Sequence, residues 1–89
     1  MARVKRLVLD VLKPHHPNLV DFAKLLAEQG GHLVKLRVLE MDEATETVQI
    51  VIEGSAIDFE RLQAAITDFG ASLHSVDEVD AEGEPEQPA

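Results

Sequence analysis

The sequence contains no cysteine, tryptophan or tyrosine, and its only aromatic residues are three phenylalanines. Without cysteine there is no disulfide to reinforce a small core, and thiolate zinc sites and thiol catalysis are excluded. Basic residues are also scarce, with 8 Lys and Arg against 17 Asp and Glu and a formal net charge of −9. That balance argues against gripping nucleic acid through its phosphates, which requires a basic face. No long apolar run is present, so no membrane span is expected. The opening Met1-Ala-Arg-Val-Lys-Arg-Leu leads into a short apolar stretch that Asp10 interrupts, which does not read as a signal peptide; a cytoplasmic protein is expected. The 89 residues suffice for one small domain. Such a chain buries only about 60% of its unfolded surface, and self-association is a common way to bury more.

The charge is uneven. Residues 1–39 hold seven basic and three acidic side chains, whereas residues 40–89 hold Arg61 and fourteen acids. From Asp80 onward the chain has four acids, two prolines and no large apolar residue. Such a stretch buries too little to offset its ordering entropy. The expected organisation is therefore a folded domain over residues 1–79 and a disordered acidic tail over residues 80–89.

Hydrophobic periodicity supplies the elements. Arg3 to Leu12 alternates, with Leu7, Leu9 and Val11 on one face and Arg6, Val8, Asp10 and Leu12 on the other, which predicts a strand. Pro14 and Pro17 stop it. Asn18 is placed to cap a helix whose Leu19, Phe22, Ala23 and Leu26 share a face, and Gly30-Gly31 ends it. His32 to Met41 alternates again, as does Val48 to Ile52. The polar Asp42–Thr47 stretch between them predicts an antiparallel hairpin. Asp58 or Ser55 caps a second helix with a stripe of Phe59, Leu62, Ala65, Ile66 and Phe69, ended by Gly70. A last strand, Leu73 to Val79, reads as Leu73, Ser75, Asp77 and Val79 on one face and His74, Val76 and Glu78 on the other. Phe22 and Leu62, Leu26 and Ile66, and Gly30 and Gly70 correspond at an offset of forty positions. Two strand–helix–strand units of this kind interleave as a ferredoxin-like α+β fold: βαββαβ, a four-stranded antiparallel sheet with both helices on one face.

The sheet face left uncovered would carry Arg6, Val8, Lys35, Arg37, Leu39, Gln49, Val51 and Glu53, together with Asp10 and Leu12. Aliphatic and oppositely charged residues interspersed in this way suit a wet subunit interface or a channel lining. Chemistries commonly hosted by this fold find little purchase. Sheet-face aromatics for stacking RNA bases are absent, since Phe22, Phe59 and Phe69 lie on the helix stripes. The loop where metal chaperones place two thiolates holds His15 and His16 instead, and imidazole is a common metal ligand. That loop lacks a glycine-rich phosphate nest. Ser55, Ser72 and Ser75 have no base at a recognisable spacing. Glu40, Asp42, Glu43 and Glu46 make the hairpin acidic without the spacing of a calcium loop. Asp10 is the outlier, a carboxylate within a Leu/Val strand. The topology brings it toward His74, as an ion pair, a metal site or an acid–base pair.

Four blocks then resemble a known family: Leu7-Val8-Leu9-Asp10-Val11-Leu12-Lys13-Pro14-His15, Thr45-Glu46-Thr47-Val48, Ile52-Glu53-Gly54, and Leu73-His74-Ser75-Val76-Asp77-Glu78-Val79. They are similar to an uncharacterised, mainly archaeal family known as domain of unknown function 211, from about Val4 to Val79. The resemblance implies a ferredoxin-like fold whose subunits close into ring-shaped homo-oligomers, with no activity attached. Gly30-Gly31-His32-Leu33 departs from its usual pattern, and the acidic tail is an addition.

The leading expectation is a non-enzymatic, ring-forming homo-oligomer that binds a metal ion or small ligand at subunit interfaces. Asp10, His15, His16, His74 and Asp77 are the candidate binding residues, with a divalent metal as the candidate cofactor. The expected partner is a further copy of the chain, with no nucleic acid and no membrane span. Two alternatives are a divalent-metal sensor or store using Asp, Glu and His ligands, and a small enzyme built on Asp10 and His74.

Overall fold

A computed structural model describes residues 1–85. The elements are β1 (Arg3–Pro14), α1 (Leu19–Glu28), β2 (Leu33–Met41), β3 (Thr45–Glu53), α2 (Phe59–Asp68) and β4 (Ser72–Glu82). The strands form one antiparallel sheet in the order β2-β3-β1-β4. This is the ferredoxin-like βαββαβ arrangement. No helix among the described residues is long and apolar enough to cross a membrane.

The core follows from the alternation. Leu7, Leu9 and Val11 of β1 stand opposite Ile52, Ile50 and Val48 of β3. All six are buried, together with Phe22 and Leu26 of α1 and Leu62 and Ile66 of α2. Phe22 and Phe69 stack with ring centroids 4.5 Å apart, joining the two helices above the sheet. The Asn18 side chain accepts the Asp21 amide at 2.8 Å, and Asp58 accepts the Arg61 amide at 3.1 Å, so both helices have side-chain N-caps. Past the helix ends, Gly31 (φ 70°) and Gly70 (φ 95°) take the left-handed conformation that a Cβ disfavours.

Strand β4 departs from strict alternation. His74 and Asp77 are extra residues with no opposite number on β1, since Leu9 and Val8 pair with Val76 and Glu78, and Asp10 and Val11 with Ser75 and Leu73. Each such bulge shifts the side-chain phase by one. As a result Leu73, Val76 and Val79 all share the helix side of the sheet, at a spacing of three. Ser75 and Glu78 fall on the open side, so the simple two-face reading of this strand is corrected. The strand also continues beyond Val79: Asp80, Ala81 and Glu82 pair with Arg6, Val4 and Arg3. Three residues assigned by composition to an acidic tail are thus part of the sheet, and residues 86–89 of that tail lie outside the described residues. At the hairpin, β3 starts at Thr45, earlier than the Val48 suggested by hydrophobicity. Asp42 Oδ1 accepts the Ala44 and Thr45 amides at 2.9 and 2.8 Å and closes the turn.

His32 precedes β2 and is buried, with its ring wedged between two glycines. A Cβ on Gly54 would lie 2.5 Å from His32 Nδ1, and one on Gly30 would lie 2.7 Å from Nε2. Gly54→Ala is therefore expected to destabilise the fold by about 1–3 kcal/mol, the usual cost of overpacking. In guanidinium unfolding, the double variant His32→Ala/Gly54→Ala is expected to cost less than the sum of its single changes, because the clash is gone. Simple additivity would contradict this packing.

Candidate functional site

Because both helices lie on one side, the other side of the sheet is bare. Register places Arg6, Val8, Asp10 and Leu12 of β1 on it, opposite Glu53, Val51, Gln49 and Thr47 of β3. Lys35 and Arg37 of β2 stand opposite Val51 and Gln49 and share that side. Val8 is buried at its centre, and Arg6 is half-buried between the Glu53 carboxylate (3.5 Å) and that of Glu78. Leu39 occupies a register shift between Val38 and Glu40 and is 53% exposed on the edge strand.

Toward the other end of this face lies a cavity of about 370 Å3 lined by Asp10, Leu12, Glu40, Thr47 and His74. All four strands contribute to it. Asp10 comes from the strand expected to bring it near His74, and both residues do line this one basin. Asp10 Oδ1 is buried with no hydrogen-bond partner. A buried carboxylate oxygen without a donor or cation carries an uncompensated desolvation cost. No hydrogen bond or ion pair joins Asp10 to His74 among the described residues. Strand spacing explains why the lining groups stay apart: β2 and β4 are three steps away from each other, which separates the Glu40 and His74 backbones by about 14 Å. Among the described residues no three His, Asp or Glu side chains converge as a set able to hold a metal.

The remaining candidates sit elsewhere. Asp77, in its bulge, accepts the Ser75 hydroxyl at 2.7 Å and is exposed. His16 is exposed in the loop after β1, while its neighbour His15 is engaged. His15 Nε2 donates to the Asp42 carbonyl at 2.8 Å, and Nδ1 lies 3.1 Å from Glu46 Oε1. The His15 ring therefore ties the β1–α1 loop to the β2–β3 hairpin and is not among the residues lining the Asp10 cavity.

Lys13 completes this second cluster. It continues the Leu7, Leu9, Val11 row, stands opposite Glu46 and is fully buried. Its ammonium lies 3.6 Å from Glu46 Oε2 and donates to the Pro14 carbonyl at 2.8 Å. The pattern of apolar residues ends before Lys13, and nothing in the linear sequence marks it as the last inward-facing position of the row. The buried Lys13–Glu46 pair is visible only once the β1–β3 register is known.

Glu46 and the Asp42 carbonyl hold the His15 imidazolium above its ordinary range, and His15 in turn holds the Glu46 carboxyl below its own. Amides of Thr45 and Ala44 lower Asp42 in the same way. A raised histidine contributes stability that is lost as pH climbs through its folded value, and a lowered glutamate contributes stability that is lost as pH falls through its own. The His15–Glu46 bond should therefore count most between about pH 4.5 and 6.5, the ordinary values of the two groups. The stability difference between wild type and His15→Gln, measured by denaturant unfolding, is expected to peak there and shrink on either side. In proton NMR, His15 should titrate above 6.5, and Glu46→Gln should move that midpoint down. An unmoved midpoint would contradict the contact.

The model of the DUF211 family, described as an uncharacterised ArCR, matches residues 5–84. The chain is also 43% identical over 80 residues to the uncharacterised protein MJ0319 of Methanocaldococcus jannaschii, covering 89% of this chain and 82% of that relative. The match takes in both helices and nearly the whole sheet, including the Asp10 cavity and the Lys13–Glu46–His15 cluster, and on this evidence the chain belongs to the DUF211 family.

Proposed function

We propose that the protein is a non-enzymatic homo-oligomer, its subunits closed into a ring, that binds a metal ion or a small cationic ligand where subunits meet. The observation that carries this reading is Asp10 Oδ1, buried and without a partner in a basin on the bare face of the sheet. Glu40 and His74, from the two edge strands, line the same basin and supply further groups suited to a cation. Within one subunit these groups do not converge. A firmly held ion would need further ligands from a neighbouring copy, which joins binding to assembly. The bare face itself supports association: it mixes Val8, Val51 and Leu12 with Arg6, Lys35, Arg37 and Glu53, the composition of a polar-rimmed interface. A divalent-metal store or sensor would use the same basin and is the variant of this reading in which the ion itself is the cargo.

Equilibrium dialysis of the full chain against Ca2+, Mn2+, Ni2+ and Zn2+ tests it. At least one ion is expected to bind more tightly than about 1 mM, the weak end of biological calcium sites. Asp10→Asn keeps the side-chain shape and removes the charge, and it should weaken that binding at least tenfold. Absence of binding by all four ions, or binding indifferent to Asp10→Asn, would overturn the assignment of the basin as a metal site.

A further inference from the structure

The two edges of the sheet differ in a way that pairs them with each other. We infer that the β4 edge of one copy hydrogen-bonds to the β2 edge of the next, continuing the sheet through a head-to-tail junction. This rests on the reading that copies assemble, and it names the surfaces they use.

Strand direction comes first. Every neighbouring pair in β2-β3-β1-β4 is antiparallel, and the number of strands is even, so β2 and β4 run in opposite directions. A second copy set beside β4 in the same orientation therefore presents its β2 antiparallel to that edge. The alternation passes through the junction unbroken, and both sheets keep their bare face on the same side.

Charge on the bare face alternates in the same order. Lys35 and Arg37 of β2 lie level with Val8 and Asp10 of β1, and toward the Arg6 end β3 carries Glu53, β1 carries Arg3 and Arg6, and β4 carries Glu78, Asp80 and Glu82. Inside the subunit the opposite signs meet: Arg6 contacts Glu53 at 3.5 Å and also Glu78, and Arg3 lies 3.6 Å from Glu82. Lys35 and Arg37, on the outer strand, make no ion pair among the described residues. Joining β4 to the next β2 continues the sequence of signs, whereas β2 against β2 sets cation on cation and β4 against β4 sets acid on acid. Exposed pairs of this kind contribute little affinity, about 0–1 kcal/mol each. They select the partner edge, and the backbone ladder supplies the binding.

One register satisfies both faces. With Arg37 opposite Glu78, antiparallel stepping places Lys35 opposite Asp80 on the bare side and Leu36 opposite Val79 on the helix side. Val79 and Val76 are 53% and 43% exposed, large values for residues on the helix side. With Val4, Leu7 and Phe59 they line a wholly apolar cleft of about 310 Å3 under the β4 edge. The incoming Leu36 row would cover that cleft.

The absence of cysteine in the chain makes disulfide trapping clean. Under mild oxidation the full-length Arg37→Cys/Glu78→Cys variant should give a ladder of covalent dimers, trimers and larger species on a non-reducing gel. Each single-cysteine variant should give almost none. Light scattering is run on the same samples. Cross-linking by the single variants as strong as by the double would overturn the head-to-tail junction in favour of like edges meeting. An oligomeric mass without a ladder would overturn the junction while leaving assembly intact, and a monomeric mass would overturn both. Charge reversal is the independent arm. Lys35→Glu/Arg37→Glu, which sets acid against acid at the junction, should lower the mass toward that of a monomer with unchanged circular dichroism, and adding Glu78→Lys/Asp80→Lys should restore the oligomer. Failure to restore it would count against the junction.

Discussion

Strand β1 is hydrogen-bonded on both sides, to β3 and to β4, and its two faces are chemically unlike. Leu7, Leu9 and Val11 point at the helices, while Arg6, Val8, Asp10 and Leu12 point away. Everything else is registered from that strand. Its inward row sets where β3 places Ile50 and Ile52 and where α1 and α2 seat Phe22, Leu26, Leu62 and Ile66. Its outward row sets the chemistry of the surface that the helices leave uncovered. Since side chains alternate strictly along a strand, a one-residue slip would exchange the two rows and bury Arg6 and Asp10. The apolar core thus dictates the position of every functional candidate on the opposite face.

Two carboxylates break the strand-by-strand order of charge on that face. Asp10 lies on an otherwise basic or aliphatic strand face, and Glu40 follows Lys35 and Arg37 on β2. Both line the same cavity, next to His74 in its bulge. The Arg6 end of the face therefore consists of paired opposite charges, and the Asp10 end holds acids in excess with one oxygen left unpartnered. The first arrangement suits recognition between copies and the second suits a cation. One small sheet can carry both because its bare face is divided lengthwise between them.

Much of this was legible in the sequence. Alternation in β1 and β3, the helix stripes, the caps at Asn18 and Asp58 and the glycine stops specify the fold and the bare face. The topology that follows is what brings Asp10 and His74 to one basin. Other features were hidden for physical reasons. Period-two reading fails in β4 because bulges at His74 and Asp77 move Val76 and Val79 onto one side, and composition fails at Asp80–Glu82 because pairing with β1 is a backbone property. Lys13 carries no apolar signature, so its burial against Glu46 depends wholly on register. His32 resembles the first residue of a strand, and its fit between Gly30 and Gly54 arises from residues distant along the chain.

Assembly is the point on which the proposed function turns, since that proposal has the metal or ligand site completed where copies meet. Sedimentation equilibrium of the unmodified full chain at micromolar concentration and moderate salt addresses it most directly. A mass several times the 9.8 kDa of one subunit, unchanged on dilution, is the predicted result. A single species of 9.8 kDa would contradict it.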